Sequence, residues 1–364
     1  MSTTIQDVAR HAGVSVSTVS NVLNGRTDRM RPETLARVEA SIAALQFRPS
    51  KLAQQLKTGR TPLLGLLVPS MTNPMYGYMA REIEGYAQER YGHRLVMGST
   101  YRDRAKESAF FEDLLAHGVR RVIVISSLAD ERHFESAVEQ GMVVVSYDRG
   151  ATPGRRSRVG HVMPDNFEAA RLATAYLIAQ GHQHLAFATV AGMTMSRSAK
   201  IDGFHAAAEE AGLRASAQVL DGGPLDEYGD TVIADVGRAT AHRIAAMQPR
   251  PTGIVALNDL MALGLMAGLR EAGLEVPRDV SVIGIDGIHL AALSNPGLTT
   301  VQLPVRAMTR AMVDRCMQAE APPDAAETDQ IFAPERLVER ESVAPPAGRA
   351  RAASAPLPEK KTSP

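Results

Sequence analysis

In the first fifty residues the apolar positions recur at helical spacing, whereas from Leu63 onward they gather into short runs separated by amphipathic stretches. Ile5, Val8, Ala9 and Ala12 predict one short helix over roughly Ile5 to His11. Gly13 breaks it, because glycine reaches positive φ without steric cost. Ser15 then offers a cap for a second helix starting near Val16, with Val19, Val22 and Leu23 as its narrow apolar stripe. Val16, Ser17, Ser20 and Asn21 lie on or near the opposite face, which is polar and uncharged. Pro32 suits the first position of a third helix, with Leu35, Val38, Ile42 and Leu45 as its buried stripe. Pro49 stops that region, and Ser50 can cap a segment of two turns bearing Ala53 and Leu56 on one side. So short a helix is marginal alone and forms only when something packs on it.

The later runs are 63–68, 93–99, 121–126, 142–147, 184–190, 252–257 and 280–285. Runs this apolar, alternating with helical stretches, predict parallel strands covered on both faces, hence a doubly wound α/β fold. The pattern restarts near Val162 to Asn166, which predicts two similar subdomains. In such folds ligands bind outside the carboxyl ends of strands, so a cleft between the halves would make the body a sensor. From Ala344 on the chain is rich in Pro, Ala and charge with little to bury, which predicts disorder over 344–364.

Charge separates the two regions. The whole chain balances 40 Lys and Arg against 40 Asp and Glu, yet through Arg60 nine basic residues face four acids, a net +5 that leaves −5 on the remainder. A basic module on an acidic body suits phosphate binding by the module alone. Two short helices about a glycine turn are the helix-turn-helix arrangement, although an ordinary αα-hairpin has the same spacing. Cys316 is the single cysteine and reads as core filler, so no disulfide or multi-cysteine metal site forms within one chain. No apolar run is long enough for a bilayer and no signal-peptide core precedes the first helix, so a cytoplasmic location is expected. G-x-G-x-x-G, Walker and G-x-S-x-G patterns are lacking, and the His182/His184 pair has no third ligand nearby. An enzyme, a cofactor and a metal are therefore not expected, and the two histidines read as surface or helix-terminus residues.

DVARHAGVSVSTVSNVLNG, LQFRPSKLAQQLKTGR and LLGLLVPSMTNPMYGYMAREIEGYA together resemble the LacI/GalR family of bacterial transcription regulators, and the resemblance runs to about Ser342. It implies a helix-turn-helix domain (1–48), a hinge helix and linker (49–61), and an effector-binding and dimerisation domain (62–343) like a periplasmic sugar-binding protein. The first lobe would comprise about 62–161 plus 291–320 and the second about 162–290 plus 321–343, with crossings near His161, Leu290 and Ala321. DNA contacts are implied at Thr4, Ser15, Val16, Ser17, Thr18, Ser20, Asn21 and Asn24. Hinge contacts fall at Ser50, Ala53 and Leu56, with Leu56 as a wedge in the minor groove. Effector contacts fall at Met75, Tyr76, Asp148, Ser196, Arg197, Lys200, Asn258 and Asp286.

The implied function is that of a homodimeric repressor on a pseudopalindromic operator, with affinity modulated by a small molecule between the lobes. Several residues depart from the family pattern. Asn21 stands where arginine is usual, which exchanges a guanine reader for one suited to adenine. Lys200 replaces an arginine fork with a point charge. Gly287 and Leu303 stand at positions usually held by aspartate and glutamine, and Arg31-Pro32 replaces a serine or threonine cap. Asp148, Asn258 and Asp286 suit hydroxyls while Lys200 and Arg197 suit an anion, so a sugar, sugar acid or sugar phosphate is expected over a purine. A transport-type solute-binding protein is disfavoured by the basic module.

Overall fold

A computed structural model of the chain describes residues 3–23, 25–28, 30–47, 62–101, 103–126, 132–147, 159–192, 194–223, 231–318 and 329–346. It divides into two compact units, Met1–Thr61 and Pro62–Pro364. Asn24, Ser50, Ala53, Leu56 and Asp148 lie outside the described residues, as does the hinge segment.

The first unit contains helices α1 (Ile5–Ala12), α2 (Val16–Leu23) and α3 (Pro32–Ala44). Thr4 and Asp7 start α1 as a reciprocal capping box: the Asp7 amide donates to Thr4 Oγ1 at 3.3 Å, and the Thr4 amide donates to Asp7 Oδ2 at 2.9 Å. Gly13 ends α1 at φ 64°, ψ 37°, where a side chain would meet no neighbour; the backbone conformation alone calls for glycine. Ser15 Oγ accepts from the Thr18 amide at 3.2 Å and so caps α2. Arg31 supplies no side-chain cap to α3, which relies on Pro32 at its first turn. Val8, Val19 and Val38, one from each helix, are fully buried and meet at the centre of this small core.

In the second unit the order is β1 (Leu63–Val68), α4 (Pro74–Tyr91), β2 (Arg94–Ser99), α5 (Arg104–Ala116), β3 (Arg121–Ile125), α6 (Arg132–Glu139), β4 (Val143–Tyr147) and β5 (Gly160–Pro164). It continues with α7 (Asn166–Ala179), β6 (Leu185–Thr189), α8 (Met195–Glu210), β7 (Ala217–Asp221), α9 (Thr231–Ala245), β8 (Gly253–Ala256), α10 (Asp259–Glu271), β9 (Ser281–Asp286) and α11 (Leu290–Leu293). Last come β10 (Thr299–Gln302), α12 (Val305–Gln318), β11 (Gln330–Phe332) and β12 (Arg336–Val338). Two six-stranded sheets result, in the orders β11-β5-β4-β3-β1-β2 and β12-β10-β9-β8-β6-β7. Every pairing is parallel except β10 with β12. Six of the seven apolar runs form strands buried on both faces, which made them readable, while β2 is a half-buried edge strand.

Several expectations shift by one element. The run at Gly160–Pro164 pairs with β4 and closes the first sheet rather than opening the second. The chain crosses between lobes at Asp165, near the expected His161, then between Gln302 and Val305 and finally between Phe332 and Arg336, not near Leu290 and Ala321. The reason is pairing: β10 joins β9 in the second sheet, α12 packs on β3, β4 and β5 of the first, and β11 stays with β5. Hydrogen bonds link each crossing to its neighbour: the Asp165 amide donates to the Phe332 carbonyl, the Leu303 amide to the Asp286 carbonyl, and the Glu335 amide to the Gln302 carbonyl.

His182 is buried at the C-terminus of α7, where its amide donates to the Leu177 carbonyl, so it is a helix-terminus residue and not a surface one. Burial pushes its imidazole below the ordinary range. Its Nε2 lies 3.1 Å from the Ala344 carbonyl, which only accepts, so Nε2 carries the proton and Nδ1 accepts from the Thr252 hydroxyl at 3.0 Å. Ala344, whose amide also donates to Ser281 Oγ, therefore belongs to the folded lobe and not to a disordered tail. Cys316 is buried as core filler, its thiol pushed up to about 12 by burial.

Glycines set the closest helix contacts. A Cβ at Gly264 on α10 would overlap the Ala234 carbonyl of α9, and one at Gly203 on α8 would overlap the Phe167 carbonyl of α7. These approaches hold the helices whose first turns reach the carboxyl ends of the second sheet.

Candidate functional site

In the first unit α2 presents Val16, 42% exposed, together with exposed Ser17 and Asn21; Thr18 and Ser20 are half-buried. The face is pre-ordered at its start, because Ser15 Oγ lies 2.8 Å from both Ser17 Oγ and Thr18 Oγ1. No charged side chain occurs on VSTVSNVL, so this helix offers hydroxyls, one carboxamide and one apolar tip. Thr4 is exposed, with its hydroxyl committed to Asp7 at 2.6 Å.

In the second unit a cleft lies between the lobes, enclosing about 600 Å³ together with the solvent at its mouth. Asn73, Met75, Tyr76 and Tyr147 line it from the first lobe; Asn166, Thr194, Ser196, Arg197, Lys200, Ile233, Leu257, Asn258 and Asp286 line it from the second, with Leu303 at a crossing. The polar members are placed by helix starts. Asn73 Oδ1 caps α4 through the Met75 amide at 3.0 Å, Thr194 Oγ1 caps α8 through the Arg197 amide at 3.2 Å, and Asn258 Oδ1 caps α10 through the Met261 amide at 2.9 Å. With its oxygen so used, the Asn258 carboxamide has its NH₂ for a ligand. Asn166 opens α7, capped by Asp165. Four helices therefore begin at the cleft, and helix starts favour negative charge.

Below this surface Asp259 is fully buried and ties three segments together. Thr300 Oγ1 donates to its Oδ1 at 2.6 Å, the Ile288 amide donates to Oδ2 at 2.8 Å, and the Gly287 amide also reaches the carboxylate. Burial pushes its pKa up to about 6. The turn it grips carries Asp286 into the cleft at φ 130°, a strained backbone for a non-glycine residue that persists because neighbours over-determine it. Gly287 follows at φ 77°, and a Cβ there would crowd Gln302 as well. That geometry accounts for glycine where an aspartate is usual.

The two cations on α8 have different surroundings. Arg197 Nη1 donates to the Ala191 carbonyl at 2.9 Å and to that of Gly192, which fastens the loop before α8. Lys200 Nζ donates to the Leu257 carbonyl at 3.2 Å.

Residues 4–50 match the model of bacterial regulatory proteins, lacI family, and residues 174–343 match a periplasmic binding protein-like domain. The HTH-type transcriptional regulator GalS of Salmonella typhimurium is 31% identical over 343 residues, 94% of this chain and 96% of that protein. The chain belongs to the lacI family of bacterial regulatory proteins. Another relative, the HTH-type transcriptional repressor PurR of Vibrio parahaemolyticus, is 34% identical over 304 residues, 83% of this chain and 87% of that one. Among solved structures, the Lac repressor bound to ONPG in its repressed state aligns with a TM-score of 0.78 at 26% identity, over 94% of this chain and 100% of that one. A CelR–cellobiose complex aligns with a TM-score of 0.64 at 26% identity, over 93% and 99%.

In this lacI-family regulator the α1–turn–α2 pair is the DNA-binding helix-turn-helix. Of the effector positions read from the sequence, Met75, Tyr76, Ser196, Arg197, Lys200, Asn258 and Asp286 all line one cleft. Tyr147, Asn166, Thr194, Ile233 and Leu257 line it too and were missed, as was Asn73. Asn73, Thr194 and Asn166 carried a usable signal, since each stands at the start of a helix that follows a strand. Among the described residues no helix is long and apolar enough to cross a membrane.

Proposed function

We propose that this chain is a homodimeric, cytoplasmic repressor that binds a pseudopalindromic operator and whose operator affinity is set by a small polyhydroxylated effector in the cleft, a sugar or sugar derivative. Its role is binding rather than catalysis, in keeping with relatives that are transcriptional regulators. Val16, Ser17 and Asn21 are the base readers on α2. The observation that carries the effector class is the ring of short polar groups at the cleft, Asn73, Asn166, Thr194, Ser196, Asn258 and Asp286, spaced to meet several hydroxyls. The CelR neighbour, in complex with cellobiose, supports it. Tyr76 and Tyr147 also line the cleft, and with the PurR relatives they favour a flat purine-type corepressor as the second reading.

Dimer formation is supported by the second lobe. A groove there is lined by Leu263, Met266, Leu274, Val276 and Pro296 and edged by Arg270, Glu275, Ser294 and Asn295, and Leu293 in the adjoining helix is 66% exposed. The Lac repressor, which shares the fold, has been solved as a dimer on its operator.

Selecting bound sequences from random DNA, with and without sugars and purines, tests the reading. A two-fold symmetric site whose recovery changes with a sugar is expected. Recovery that responds to purines alone would exclude the sugar reading, and a site without two-fold symmetry would exclude the dimer. Reciprocal linkage adds a second check: an effector that weakens operator binding must itself bind more weakly when operator is present.

A further inference from the structure

Lys200 is 8% exposed, lines the cleft, and makes a single hydrogen bond, to the Leu257 carbonyl; no ion pair compensates its charge among the described residues. An ammonium so far buried with one neutral partner gains little in place of the water it has lost, and its open side faces the cleft, where an anion can reach it. The carboxylate two residues beyond Leu257, that of Asp259, is committed to Thr300, Gly287 and Ile288. Arg197, one turn earlier on α8, is held by the Ala191 and Gly192 carbonyls. Two cations thus line the cleft wall, Arg197 fastened by two loop carbonyls and Lys200 by a single one, near helix starts that add positive potential.

Resting on the reading of the cleft as an effector site, we infer that the effector is an anionic sugar, whose carboxylate or phosphate pairs with Lys200 while Asp286 and the Asn258 carboxamide engage its hydroxyls. The pairing supplies the counter-charge that the free protein lacks. A neutral sugar leaves Lys200 as it stands and gains nothing from it.

Calorimetric titration of the full-length protein with matched probes tests this: glucose, gluconate, glucuronate and glucose 6-phosphate, and their galactose counterparts. At least one acid or phosphate should bind tenfold or more tightly than its neutral parent, and Lys200→Gln should remove that advantage while Lys200→Arg retains most of it. Preference for carboxylates over phosphates, or the reverse, identifies the anion. Equal binding of neutral and anionic members, unaffected by Lys200→Gln, would overturn the inference and leave the effector cleft intact. Should none of these compounds bind, the ligand-free protein decides. Lys200→Met should raise its unfolding midpoint, and inorganic phosphate should stabilise the wild type over chloride at equal ionic strength but not the variant. A lowered midpoint for Lys200→Met together with indifference to phosphate would refute an uncompensated cation.

Discussion

Thr300 on β10 donates a 2.6 Å hydrogen bond to Asp259 at the start of α10, joining two elements forty-one residues apart beneath the cleft. Asp259 ordinarily titrates near 3.8 and here is pushed up to about 6 by burial. Between those values the folded chain holds a proton that the unfolded chain has released. The group's contribution is therefore complete below about pH 4, is lost as pH rises to about 6, and is flat above, a change of about 3 kcal/mol. Urea unfolding from pH 4.5 to 7.5 should show this slope as a difference between wild type and Asp259→Asn, which cannot titrate. Parallel curves for the two proteins would remove Asp259 as its source.

Gly13 occupies the left-handed region for conformational reasons alone, since a Cβ there meets nothing. Gly13→Ala should cost about 1 kcal/mol and Gly13→Val more. With so small a core, the loss should appear as a lower-temperature transition of the first unit in calorimetry and as weaker operator binding, while effector titrations stay unchanged.

Asn21 and Val16 are exposed on a recognition helix without charge. Asn21→Arg should move the selected base at one half-site position from adenine toward guanine, with roughly 1–3 kcal/mol of discrimination. An unchanged selected sequence would show that Asn21 does not read a base. Val16→Thr should leave that position alone and shift preference only where a thymine methyl is met.

The cleft's second lobe depends on the α9–α10 approach at Gly264. Because the obstacle is the Ala234 backbone carbonyl and not a movable side chain, Gly264→Val should destabilise the second unit by about 3 kcal/mol. Chemical denaturation followed by circular dichroism gives the value, and operator binding by any fraction that remains folded should be near normal.

What could be read from the residues alone was what local chemistry decides. The Gly13–Ser15 turn with its cap and the seven strand-forming runs follow from short-range steric and solvation rules. Pairing does not. The run at Gly160–Pro164 reads GHVMP, too mixed to assign to one lobe or the other, and the attachment of β11 to β5 joins segments far apart along the chain. The same holds within the cleft. Arg197 and Lys200 look like one anion-binding pair in sequence, but the loop at Ala191–Gly192 takes up the guanidinium and leaves the ammonium. Tyr147, Ile233 and Leu257 carried no local mark of a site, because strand ends and helix faces become cleft walls only when two lobes meet.

The order of the sheets also bears on how the chain is made. The first lobe begins at β1, yet its α12 and its edge strand β11 are supplied only at residues 305–332, after nearly all of the second lobe has been synthesised. On the ribosome the β5 edge must therefore wait, unpaired, while five strands of the other sheet emerge. The lobe that starts first is completed almost last, and its sheet lacks its edge strand until Phe332 has been made.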